Sequence, residues 1–96
     1  MLVFHVVFKC KPEMRDEFLK MIVTAGIDAA CRAEDGNISY EYYLPVDNDR
    51  DLLLIEKWKD ADAVARHAKQ AHMVRMEELK SEYVTDMSLE MFKKDP

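Results

Sequence analysis

Only two glycines, three prolines and two cysteines occur among the 96 residues, and each scarcity removes a class of explanation. So few chain breakers leave no linker, low-complexity tract or disordered segment, while 49% hydrophobic content suffices for one ordered domain over residues 1–96. Two isolated cysteines, Cys10 and Cys31, outside any CxxC pattern and without a secretory signal, read as reduced thiols rather than a disulfide framework. Positive charge is short too: 14 Lys and Arg against 19 Asp and Glu give a formal charge of -5, with no basic footprint for nucleic acid. No apolar run approaches the roughly 20 residues of a membrane span. The opening LVFHVVF carries His5 and lacks both a basic n-region and a small-residue cleavage site. Together these absences predict a cytoplasmic protein with neither a nucleic-acid nor a membrane partner.

What the sequence does contain is alternation. Leu2, Phe4, Val6, Phe8 and Cys10 share one face of a first strand, and Val3, His5, Val7 and Lys9 the other, so this strand is apolar on both sides. Pro12, the acids Glu13, Asp16 and Glu17, and an apolar stripe through Met14, Phe18, Met21, Ile22, Ala25 and Ala29 predict a helix from Pro12 to Ala33. Asp35-Gly36-Asn37 is turn chemistry, followed by the strand NISYEYYL with Ile38, Tyr40, Tyr42 and Leu44 on one face. The polar PVDNDRD joins it to LLLIEKW, whose Leu52, Leu54, Glu56 and Trp58 share a face. Asp60 can cap a helix with Val64, His67, Ala68 and Ala71 on one stripe, continuing with or without a break to Leu79, and Val84–Phe92 reads as a last strand. The order βαββαβ is the split βαβ, ferredoxin-like α+β plan, with helices on one sheet face only. Strands apolar on both faces then predict that a second copy of the chain covers the open face, as a homodimer.

Glu56 and Trp58 share a face by the period of two, and His67 lies on the inner stripe of the next helix. An indole, a carboxylate and an imidazole meeting between sheet and helices is the composition of a small-molecule site. The same residues also suit plain packing: a core histidine with an acceptor, a buried tryptophan and a structural ion pair from Glu56 to Arg66 or Arg75. His72 follows His67 by five residues, about 140° around a helix of 3.6 residues per turn, so a continuous helix would not aim both at one metal, and no metal is expected. His5 faces away from Phe4 and Phe8, toward either a pocket border or a dimer face. Gly-rich phosphate loops, GxSxG and HExxH are all missing, so no cofactor is expected. The seven methionines suit an adaptable core or pocket lining.

The stretches VFHVVFKCKPEMRDEFL, RAEDGNISYEYY and LLLIEKWKDADAVARHAKQAH resemble, in order and spacing, the antibiotic biosynthesis monooxygenase domain family. Lys11-Pro12, Glu34 with Gly36-Asn37 and Tyr40, Glu56-x-Trp58, His67 and His72 carry the likeness. It implies a dimeric α+β barrel with a pocket between sheet and helices in each subunit. Some members oxygenate polycyclic phenols or quinols with no flavin, metal or haem. Asp35 and Gln70-Ala71 depart from the commoner proline and Ser-Pro, and strand one offers His5 where the haem-degrading branch uses asparagine. The resemblance thus implies a quinol-type aromatic substrate and dioxygen, with His67, Asn37 and Trp58 as the catalytic group and Glu56, His5, Tyr40 and His72 as substrate-binding residues. In this reading His67 takes the phenolic proton, Asn37 binds the substrate oxygen and Trp58 walls the site. Two alternatives stand beside it: an isomerase of a small phosphorylated ketone, and a ligand- or haem-binding dimer without turnover.

Overall fold

The computed structural model describes residues 1–95. The alternating stretches form strands β1 (Leu2–Cys10), β2 (Asn37–Tyr43), β3 (Asp51–Trp58) and β4 (Val84–Lys93). They pair antiparallel in the order β2-β3-β1-β4. Helices α1 (Arg15–Thr24), α2 (Ile27–Arg32), α3 (Ala61–Ala68) and α4 (Ala71–Tyr83) fill the two crossover positions of this ferredoxin-like α+β fold. Among the described residues no helix is long and apolar enough to cross a membrane.

The helix expected from Pro12 to Ala33 is split, the second helical stretch does break before Leu79, and both breaks have local causes. Pro12 does not open α1: Met14 N–H donates to the Lys11 carbonyl at 3.0 Å across a turn in which Glu13 takes φ 66°, so the helix starts only at Arg15. Gly26, at φ 74°, ends the first helix in the left-handed conformation that a C-terminal glycine adopts easily, and α2 begins directly after it. Between α3 and α4 the chain turns at Lys69-Gln70, where Gln70 is extended at ψ 143°. Asp60 does cap α3, its carboxylate accepting from Ala63 N–H at 2.9 Å.

Val6, Phe8 and Cys10 of β1, Leu52, Leu54 and Trp58 of β3, and Tyr40 of β2 are buried beneath Phe18, Ile22, Ile27, Met76 and Leu79 of the helices. Burying an indole takes roughly 200 Å² from water, an upper bound of about 5 kcal/mol, so Trp58 is a structural anchor whatever else it does. Ile38 departs from the expected face. The β2–β3 register steps from Asn37 opposite Trp58 to Ser39 opposite Lys57, so a bulge at Ile38 turns that side chain outward, to 54% exposure. Leu44 lies past the end of β2 and is also exposed.

Gly36 holds the corner between α2 and β2 against α3. Its φ is 89°, and a Cβ there would stand 2.5 Å from the Cβ of Ala63, while its carbonyl accepts from Lys59 N–H at 2.8 Å. Gly26 has positive φ but open space around it. Gly36→Ala should therefore lower stability by about 2 kcal/mol or more, from overpacking added to strain, and Gly26→Ala by about 1 kcal/mol, from strain alone. Chemical denaturation of the two variants checks the order, and equal losses would contradict it.

Candidate active site

The turn after α2 carries the group that organises the site. Glu34 N–H donates to the Cys31 carbonyl at 3.2 Å, and Asn37 N–H to the Glu34 carbonyl at 3.1 Å, which aims the Glu34 side chain inward under α3. Only 6% of that side chain is exposed. Its Oε2 receives two imidazoles, His67 Nδ1 at 2.7 Å and His72 Nε2 at 2.8 Å. A carboxylate oxygen accepts, so these two nitrogens carry the hydrogens, and a neutral His67 keeps its lone pair on Nε2. The other oxygen, Oε1, is buried without a hydrogen-bond partner.

The two histidines meet because the helix is not continuous. His67 ends α3 and His72 lies in the first turn of α4, and the corner between them cancels the 140° separation that one helix would impose. That the pair cannot share a target holds only for a continuous helix, and the break removes this premise.

On the other side of His67, Glu56 Oε1 lies 3.7 Å from Nε2 and accepts from the Trp58 indole N–H at 3.0 Å. The rings of Trp58 and His67 have centroids 4.5 Å apart, and Tyr40 meets His67 edge-on at 6.0 Å. Burial pushes the Glu56 carboxyl above its ordinary range; the indole N–H and His67 pull it back, and Glu34 adds to the rise. Burial also holds the Cys31 thiol in its neutral form, pushed up to about 12. The Tyr40 and Tyr42 phenols are likewise raised by burial, and the Tyr42 hydroxyl has no partner.

Two hollows flank this group. An inner cavity of about 120 Å³ is lined by Tyr40, Leu54, Glu56, Met73, Met76 and Met87 among others. An outer groove of about 490 Å³ runs over the α3–α4 corner past His67, Gln70, Met73 and Glu77. Met73, a flexible side chain, lines both.

Of the residues singled out from sequence, Glu56, Trp58, Tyr40, His67 and His72 come together. Two do not. His5 lies on the opposite sheet face, against Phe92 at 5.0 Å, because it is out of phase with Phe4 and Val6 on β1. Asn37 donates its amide hydrogens to the carbonyls of Ser39 and Lys57, at 3.1 and 3.4 Å, securing the bulge rather than offering a donor to a ligand. Trp58 is fully enclosed and lines neither hollow; its contacts in the site are with Glu56 and His67. Glu34 escapes pattern reading because it belongs to no apolar period, and Cys31 because, four residues after Ile27 on the buried side of α2, it reads as packing. The available signal is an acid in the turn directly before a strand that must pass beneath the histidine helix.

A model of the family described as antibiotic biosynthesis monooxygenase matches residues 1–79. A Bacillus subtilis (strain 168) protein named "Putative monooxygenase YcnE" is 36% identical over 72 residues, covering 75% of this chain and 74% of that one. Among solved structures, PA3566 of Pseudomonas aeruginosa superposes with a TM-score of 0.86 at 18% identity, covering 99% and 94% of the two chains. A conserved protein of Methanosarcina mazei Go1 reaches 0.80 at 26% identity, covering 99% and 95%. By the extent of the family match and the identity to the Bacillus protein, this chain belongs to the antibiotic biosynthesis monooxygenase family.

Proposed function

We propose that the protein is a monooxygenase of hydroquinone-type aromatics, with His67 as the base. The observation that carries this reading is the clamped imidazole: Glu34 at Nδ1 and Glu56 near Nε2, beside a cavity walled by methionine and tyrosine. Nε2 is directed toward Glu56, which lines that cavity, so a substrate hydroxyl held there meets the lone pair once Met73 swings aside. Taking the phenolic proton makes the imidazole a cation between two carboxylates, and each stabilises the charge that develops. The phenolate left behind is electron-rich enough to reduce dioxygen. A hydroquinone brings its own reducing electrons: one oxygen atom enters the ring, the other leaves as water, and the product is the hydroxyquinone. Trp58 holds Glu56 in place through its indole N–H. A phosphorylated ketone fits less well, because the one cation lining the inner cavity, Lys80, is paired with Glu77 at 2.9 Å.

The reading extends to assembly. The sheet face away from the helices carries Val3, Val7, Leu53 and Ile55, with Tyr43 and Phe92 about half exposed, and a second copy of the chain would bury this apolar area. It would also enclose the surface hollow beside His5.

Oxygen uptake with a panel of one- and two-ring hydroquinones tests the activity. His67→Ala and His67→Gln should each lose about 100-fold or more in turnover number, the usual contribution of a positioned base, with melting temperature showing that the fold survives. Turnover unchanged in both variants would remove His67 from the mechanism. Light scattering should give twice the chain mass, and Ile55→Glu, placing a charge in the apolar face, should give the single-chain mass with an unchanged circular dichroism spectrum. A monomeric native protein would refute the paired arrangement.

A further inference from the structure

We propose that Cys31, Glu34, His67 and His72 form a binding site for a divalent transition-metal ion, best matched to zinc, and that an ion bound there reverses the tautomer of His67. Sγ of Cys31, a carboxylate oxygen of Glu34 and one nitrogen of each imidazole all lie within 4.8 Å of one another. A tetrahedral zinc with bonds of about 2.0–2.3 Å sets its donors roughly 3.3–3.8 Å apart, so modest side-chain movement brings the four into place. Glu34 separates from the imidazoles that it now touches at 2.7 and 2.8 Å, and Cys31 moves in.

Three further observations point to a cation here. The Glu34 carboxylate is more than nine-tenths buried, and its Oε1 has no partner, a desolvated acceptor that a metal would satisfy. The ligands come from three helix ends, those of α2, α3 and α4, whose positions the core determines. Beyond His67, Glu56 lies 3.7 Å from Nε2, where an outer carboxylate commonly receives the N–H of a ligating histidine, and Trp58 anchors that carboxylate in turn. Two imidazoles, a thiolate and a carboxylate are borderline-soft donors that favour zinc or cobalt over magnesium or calcium. The thiol gives up its proton as the metal–sulfur bond forms, and thiolate plus carboxylate neutralise the dication, so the buried site carries no net charge. His72 is the least covered ligand and borders the α3–α4 corner, which gives an entry route.

Coordination through His67 Nδ1 displaces its hydrogen and leaves Nε2 protonated toward Glu56, the reverse of the metal-free arrangement. The imidazole then has no lone pair for a substrate hydroxyl. This consequence for turnover rests on His67 being the base, whereas the metal site and the tautomer change do not.

Chelator-treated protein titrated with cobalt should bind one ion per chain, with the visible bands of a tetrahedral centre and a near-ultraviolet thiolate-to-cobalt band. Cys31→Ser should lose the thiolate band, and His72→Ala should weaken zinc binding about 100-fold or more, exceeding the usual effect of changing an outer residue. Long-range proton–nitrogen NMR of the imidazoles should show His67 passing from the Nδ1–H to the Nε2–H form on zinc loading. In the hydroquinone assay zinc should inhibit and a chelator restore activity, with Cys31→Ser much less sensitive relative to its own zinc-free rate. Absent stoichiometric binding, or cobalt spectra unchanged in both variants, would overturn the site; an unchanged tautomer would overturn the switch. Cobalt binding and the tautomer change without any quinol turnover would uphold this proposal and count against the oxygenase reading alone.

Discussion

One carboxylate oxygen, Oε2 of Glu34, joins parts of the chain that no secondary-structure hydrogen bond connects. It accepts from His67 at the end of α3 and from His72 at the start of α4, tying the helical corner to the turn between α2 and β2. Removing a carboxylate from water costs several kcal/mol unless charge-assisted hydrogen bonds compensate, so this contact must form with good geometry or be absent altogether. Gly36 permits it: two residues beyond Glu34, it lets the turn pass close beneath Ala63, where a side chain would hold α3 away.

That geometry gives His67 its character. An imidazole with one carboxylate at 2.7 Å and another at 3.7 Å has one tautomer selected, while Trp58 and Tyr40 limit its rotation. Glu56 is raised by burial and pulled back by the indole and the imidazole. Residues that would otherwise count only as core thus form the wall and supports of a polar site. Within them, Glu34 Oε1 is a buried acceptor without a hydrogen-bond partner.

Periodicity made most of the fold legible. The four strands lie within a residue of where alternation puts them, and Asp60 caps α3 as its position predicts. The helical breaks were less visible: apolar spacing persists through Gly26, and in the second helical stretch, where a break was open, spacing did not place it at Lys69-Gln70. Ile38 misled for a related reason: a bulge shifts phase by one residue without altering the order of residue types.

The site divided along the same line. Sequence by itself determined the residues whose direction follows from position within one element: Glu56 and Trp58 on a shared strand face and His67 on an inner helical stripe, while for His5 it fixed only the phase opposite to Phe4 and Phe8. Tertiary structure alone decided that His72 joins His67, that Glu34 receives both, and that Cys31 completes the cluster. Those contacts span 33 to 38 residues of chain or cross a helix corner, and local period carries no information about where two elements separated by a turn will meet.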